Sequence, residues 1–137
     1  MSADPAAFAT VAIEREKDIV VARQKGRELA AQAGFGATDQ TLIATAISEV
    51  ARNIIVYAER GEIRIRVVSE DGRDGVLVVA QDSGPGIADL TLAMRDGYST
   101  TRSLGVGLPG ARRLMDDFDI TSELGKGTTV TMKKWAR

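Results

Sequence analysis

The chain has 137 residues, a net charge of −1, and neither cysteine nor histidine. Disulfides, thiolate and imidazole chemistry and a phosphohistidine intermediate are therefore excluded, and any metal must be held by oxygen or amide ligands, which favours magnesium-like ions over zinc. The balanced charge implies no broad attraction to nucleic acid or membrane.

This length suits one domain, residues 1–137, with a single core. No apolar run is expected to reach transmembrane length. The opening Met1-Ser2-Ala3-Asp4-Pro5 lacks the charged and apolar regions of a signal peptide. A cytoplasmic protein is the expectation.

Residues 1–9 read as a lead-in, and 10–13 alternate weakly, as a first strand would. Residues 17–33 carry Ile19, Val20, Ala22, Leu29, Ala30 and Ala33 at helical spacing, and Gly34 ends that helix. Thr38 is expected to cap a second helix over 39–59, stopped by Gly61. Its apolar set is Leu42, Ile43, Ala46, Ile47, Val50, Ile54 and Tyr57. Glu49 and Asn53 are four apart and share a face of it. An amide oxygen there can ligate magnesium without adding charge, and a carboxylate one turn away can accept a proton. The same pattern also fits a solvated face with a surface Glu49–Arg52 ion pair.

Residues 62–69 alternate Ile63, Ile65 and Val67 with Glu62, Arg64 and Arg66, as a half-exposed strand does. A turn over 71–75 leads into a second strand from Val76, making a hairpin. That strand runs into Asp82-Ser83-Gly84-Pro85-Gly86. The glycines let the backbone leave sharply and approach a ligand closely. Asp82 reads equally as an Asx-turn residue bonded to its own backbone and as an acceptor for an exocyclic amine such as adenine's.

Residues 87–96 read as a short helix, and 97–107 as a polar, flexible stretch. Gly105-Val106-Gly107-Leu108-Pro109-Gly110 matches the glycine pattern of dinucleotide-binding folds. The polar run before it and the absence of a buried preceding strand argue against that reading. A lid feeding a helix N-terminus suits it better. Pro109 fits a first helical turn, and free N–H groups there bind phosphate. Ser99, Thr100 and Thr101 add hydroxyls, and Arg102 adds a charge for a terminal phosphate. A helix over 109–117 follows. Residues 118–124 and 128–135 then form a hairpin across Gly125-Lys126-Gly127, from which Thr128 can reach the pocket. The whole argues for α+β, a mixed sheet with helices on one face.

In order, four segments resemble the N, G1, G2 and G3 boxes of the GHKL (Bergerat-fold) ATPases. They are Glu49-Val50-Ala51-Arg52-Asn53, Asp82-Ser83-Gly84-Pro85-Gly86, Gly105-Val106-Gly107-Leu108 and Gly125-Lys126-Gly127-Thr128. The stretch 97–118 and residues 18–25 further resemble the switch serine/threonine kinases of stressosomes. The resemblance implies a Bergerat-type two-layer α/β sandwich, with a mixed, mostly antiparallel sheet and a mobile ATP lid. It implies ATP and Mg2+ as cofactors. Asp82 would contact the adenine amine, helped by water near Thr128. Asn53 would ligate the metal, and Glu49 would be the catalytic base toward a substrate hydroxyl. Gly84, Gly86, Gly105 and Gly107 would shape pocket and lid, with Ser99, Thr100, Thr101, Arg102, Val106 and Leu108 completing the nucleotide contacts. The implied function is phosphorylation of STAS-domain scaffold proteins and activation of a PP2C-type phosphatase in stress signalling. An anti-sigma factor kinase of the same fold is the alternative, and a nucleotide-gated binding module is a third class. Pro109 near the lid hinge and a short lid depart from the wider superfamily. No separate phosphoacceptor-histidine domain is expected from a sequence without histidine.

Overall fold

The centre of the sheet is a hairpin. β2 (Gly61–Glu70) pairs with β3 (Arg73–Asp82) from Gly61↔Asp82 to Glu70↔Arg73. The computed structural model describes residues 8–86 and 107–136. Asp71 and Gly72 alone make the turn, both at positive φ, 52° and 76°, as a two-residue hairpin loop requires. The turn is therefore tighter than the expected 71–75. Gly75 is a strand residue instead. A side chain on it would come 2.6 Å from the Lys134 carbonyl and 2.7 Å from the Trp135 ring.

β1 (Ala9–Ile13) adds to the β2 edge, and β5 (Gly127–Trp135) and β4 (Asp117–Glu123) follow on the β3 side. The strand order is β1-β2-β3-β5-β4. Among the described residues all four pairings are antiparallel, within the mixed, mostly antiparallel sheet that was expected. Short hairpin links account for β2–β3 and β4–β5, since a parallel pair needs a long crossover.

Helices α1 (Glu16–Gln32), α2 (Ala37–Ala58) and α3 (Gly107–Leu114) pack against Ile63, Ile65, Val76, Val78, Ala80, Val130 and Met132. Ile13, Ile43, Ile47, Val50 and Ile54 complete that core. α1 opens with the Asp18 carboxylate accepting the Glu14 and Arg15 N–H groups at 2.9 and 3.1 Å. These two bonds hold its carboxyl below the ordinary aspartate value. Gly34, at φ 92°, ends α1 as expected.

Three boundaries differ from expectation. Gly36, not Thr38, caps α2, and Thr38 lies inside the first turn. Glu59 ends α2 at positive φ, 71°. Gly61 opens β2, where any Cβ would sit 2.5 Å from the Gln81 carbonyl. α3 stops at Leu114 rather than 117, because Asp116 joins the sheet edge. Its N–H donates to the Lys133 carbonyl at 2.9 Å, and its carboxylate accepts the Trp135 N–H at 2.8 Å.

α2 also corrects the expectation about apolar length. It has 22 residues, and an 18-residue stretch of it has a mean hydropathy of 1.2, long and apolar enough by composition to cross a membrane. Half of that stretch is buried inside the fold, which is the behaviour of a core helix.

One glycine ties the two hairpins together. Gly127, at φ 118°, lies so close to β3 that a Cβ would run into the Asp82 carbonyl. Neither the backbone angle nor the space admits a side chain. Gly127→Ala is expected to cost about 2–4 kcal/mol, read as a lower denaturation midpoint in urea.

Candidate functional site

Asp82 ends β3 on the helix-covered face of the sheet, in register with Gly61. Its Oδ1 accepts two backbone N–H groups, from Gly84 at 2.9 Å and from Thr128 at 3.2 Å. The Asx turn and the ligand-binding role are therefore compatible. One oxygen is spent on the turn and on β5, which fixes the carboxylate, and Oδ2 remains as an acceptor.

The loop after Asp82 is clamped on both sides. A side chain on Gly84 would meet the Ala58 Cβ at 2.5 Å, so the loop lies against the end of α2. A side chain on Gly86, at φ 81°, would meet the Glu123 carbonyl at 2.5 Å. The Gly125 N–H donates to the Pro85 carbonyl at 2.9 Å. Thus the β4–β5 turn holds the Asp82–Gly86 loop. Open polar depressions of about 430 and 500 Å3 meet at Gln81, Asp82 and Ser83, so this end of the sheet faces solvent.

Thr128 is buried, and its hydroxyl lies 2.9 Å from that of Ser122, the residue opposite it in the ladder. Ser122 also donates to the Gly127 carbonyl at 3.2 Å. The sequence reading missed Ser122. Its signal was available in the symmetry of Ser122 and Thr128 about the Gly125 turn.

Glu49 is the unexpected member. It is 6% exposed, not part of a solvated face. Oε1 accepts the Arg52 guanidinium at 3.1 Å, and Oε2 accepts the Gly107 N–H at 2.9 Å. A buried carboxylate is tolerable only when paired and hydrogen-bonded. Arg52 and the positive end of α3 meet that need. Asn53, one turn further along α2, is half-buried, and its amide has no hydrogen-bond partner among the described residues. Asp82, Gly84, Gly86 and Thr128 thus meet at one end of the sheet beside the end of α2, while Glu49 meets Gly107 at the start of α3. Ser99, Thr100, Thr101, Arg102, Gly105, Val106 and the helix expected over 87–96 lie outside the described residues.

An antiparallel sheet backed by helices, with an acid–amide pair on α2 and a strand-end aspartate in a glycine loop, makes an α/β sandwich. The chain belongs to the histidine kinase-like ATPase family, whose model matches residues 13–134. It is 51% identical over 127 residues to the serine/threonine-protein kinase RsbT of Bacillus subtilis (strain 168), covering 93% of this chain and 96% of that protein. It is 33% identical over 97 residues to the anti-sigma F factor of Clostridium beijerinckii, covering 67% of this chain and 68% of that one. The solved RsbU and RsbW domains of a Mycobacterium tuberculosis protein share the fold. The TM-score is 0.60 at 21% identity, over 94% of this chain and 33% of that one.

The double engagement of Glu49 has a measurable cost. Glu49→Ala strips the Gly107 N–H of its acceptor and leaves Arg52 unpaired, an expected loss of about 1–3 kcal/mol. Glu49→Gln keeps an oxygen for Gly107 and is expected to lose less. Thermal denaturation of both variants checks the order.

Proposed function

We propose that this serine/threonine-protein kinase binds ATP with magnesium and phosphorylates a serine or threonine of a STAS-domain scaffold protein, then activates a PP2C-type phosphatase through its regulatory domain. The observation that carries the reading is Glu49 and Asn53, one helical turn apart, beside the N-terminus of α3. The similarity to RsbT over nearly the whole chain supports the same reading. In this reading the chain is one catalytic domain, cytoplasmic, with no nucleic acid or membrane among its partners.

Asp82 selects the nucleotide by accepting the adenine amine on Oδ2. Asn53 offers a neutral amide oxygen to a cation. Among the described residues no cluster of three or more acidic ligands exists to hold a metal. That fits magnesium, which is usually bound by one or two protein oxygens together with substrate phosphates and water. When bound, the ion would neutralise phosphate charge. Glu49 takes the proton from the substrate hydroxyl as its oxygen bonds to the γ-phosphorus and the bond to the β–γ bridging oxygen breaks, leaving ADP. The remaining N–H groups at the start of α3 stabilise phosphate oxygens.

A second reading is supported by the similarity to anti-sigma F factors: a kinase of the same fold that sequesters a sigma factor. Co-purification separates the two, by sigma factor on one side and STAS scaffold with phosphatase on the other. A pure nucleotide-gated binder has no need of a buried base such as Glu49.

The test uses labelled ATP, magnesium and a STAS-domain partner. Label is expected on a partner serine or threonine; intact ATP binding with no label would refute the kinase mechanism. Glu49→Gln is expected to lose transfer by at least about a hundredfold while binding ATP normally. Equal loss of both would overturn the base assignment. Asp82→Asn keeps Oδ1 for Gly84 and Thr128 but turns the Oδ2 position into a donor. ATP affinity is expected to fall about tenfold to a hundredfold, measured by calorimetry. Unchanged affinity would end the adenine role.

A further inference from the structure

Glu49, Arg52 and Asn53 make one patch of α2. Residues three and four apart are neighbours on a helix surface, so the Arg52 guanidinium lies beside both the proposed base and the proposed cation ligand. Its Nη1 donates to Glu49 Oε1 at 3.1 Å. The two side chains differ in exposure. Arg52 is 32% exposed and Glu49 only 7%, so the cation is the solvent-facing member of the pair and the carboxylate the enclosed one. The other carboxylate oxygen is pinned, since Oε2 accepts the Gly107 N–H at 2.9 Å. That leaves Oε1 for a substrate hydroxyl, and Arg52 occupies it.

We propose that Arg52 is a phosphate-contacting residue that changes partner. Without nucleotide it holds Oε1 of Glu49. With ATP bound it turns to the terminal phosphate, and in leaving it uncovers Oε1 for the substrate hydroxyl. The inference rests on the reading of this chain as an ATP-dependent kinase with Glu49 as its base. The bond to Glu49 is made by one nitrogen to a group with a single charge. A terminal phosphate carries close to two charges and three acceptor oxygens, and the guanidinium fork meets two of them at once. A side chain that already reaches solvent turns without unpacking the core. At the start of α3, Gly107 is engaged and Pro109 has no N–H, so a cation on α2 meets charge that the helix end does not. Once Arg52 has moved, Oε1 takes the hydroxyl proton, the hydroxyl oxygen bonds to the γ-phosphorus, and the bond to the β–γ bridging oxygen breaks to leave ADP. The guanidinium stays on the transferring group and stabilises its charge.

The experiment compares binding of ATP and of ADP to the full chain with magnesium, by calorimetry, and follows transfer to a STAS-domain partner. ADP ends one phosphate short and does not reach Arg52. Arg52→Gln is expected to lower the ATP-to-ADP affinity ratio about tenfold with ADP affinity kept, and to lower kcat at least about a hundredfold. Losing the cation also leaves the Glu49 charge bare near the phosphates. The substitution is therefore repeated in Glu49→Gln, where there is no charge to neutralise, and a direct phosphate contact gives the same fall there. No fall in that background would overturn the inference and leave Arg52 as the neutralising partner of Glu49, with the nucleotide reading intact. Transfer that survives in Arg52→Gln would overturn it too. Arg52→Lys keeps the charge without the fork and gives the reading if the glutamine variant fails to fold. A smaller fall in the ratio supports the inference, and an unchanged ratio overturns it. Wild-type protein that holds neither nucleotide would overturn the ATP reading and the inference together.

Discussion

One carboxylate oxygen organises this end of the fold. Oδ1 of Asp82 accepts N–H groups from its own loop and from β5, at 2.9 and 3.2 Å. Those two bonds join the end of β3, the Gly84 turn and the second hairpin. Charge-assisted bonds of this kind are about twice as strong as neutral ones. They also hold the carboxylate at a fixed angle, so Oδ2 is delivered in one direction. The glycines follow from that constraint. With Gly84 against Ala58, Gly86 against Glu123 and Gly127 against Asp82 itself, the three backbone segments approach too closely for any side chain. The hydroxyl pair Ser122–Thr128 lies in the next rung of the same ladder.

Glu49 obeys a different rule. It is a charge inside a core helix, between Ser48 and Val50, both buried. Water cannot solvate it there, so the protein must. Arg52 provides a cation from the same helix, and α3 provides an N–H and the positive end of its dipole. The bond to Gly107 spans 58 residues of sequence. It therefore fixes where α3 begins relative to α2. On the proposed reading this same group is the base, so the catalytic carboxylate is also a structural one.

The elements that could be read from sequence were those with strong local periodicity. The alternation over 62–69 and the helical spacing of Ile43, Ile47, Val50 and Ile54 follow directly from which face is buried. Boundaries were less legible because glycine has two uses. Gly34 stops a helix, as local chemistry suggests. Gly61 and Gly75 look the same in sequence, yet they are strand residues flattened against the Gln81 carbonyl and Trp135. Only tertiary packing separates the cases. The site shows the same division. Glu49, Asn53 and Asp82 stood out by residue type and spacing. The burial of Glu49 and its bond to Gly107 depend on contacts between segments far apart in the chain, and the Ser122–Thr128 contact depends on register.

The count of donors at the start of α3 bears on how a triphosphate is held. An α-helix begins with four N–H positions that lack partners inside the helix. Of the helical residues those positions are Gly107, Leu108 and Pro109, since the Gly110 N–H already makes the first intrahelical bond. Gly107 donates to Glu49, and proline has no N–H to give. Leu108 is what the described helix end can still offer. One neutral donor is little for a polyanion, and the Glu49 charge offsets part of the dipole that would attract it. On the proposed reading, most of the phosphate charge must therefore be met by magnesium and by side chains rather than by the helix. Glu49 beside the helix end then favours a deprotonating role at the phosphate end of the site, while Asp82 is left for the base.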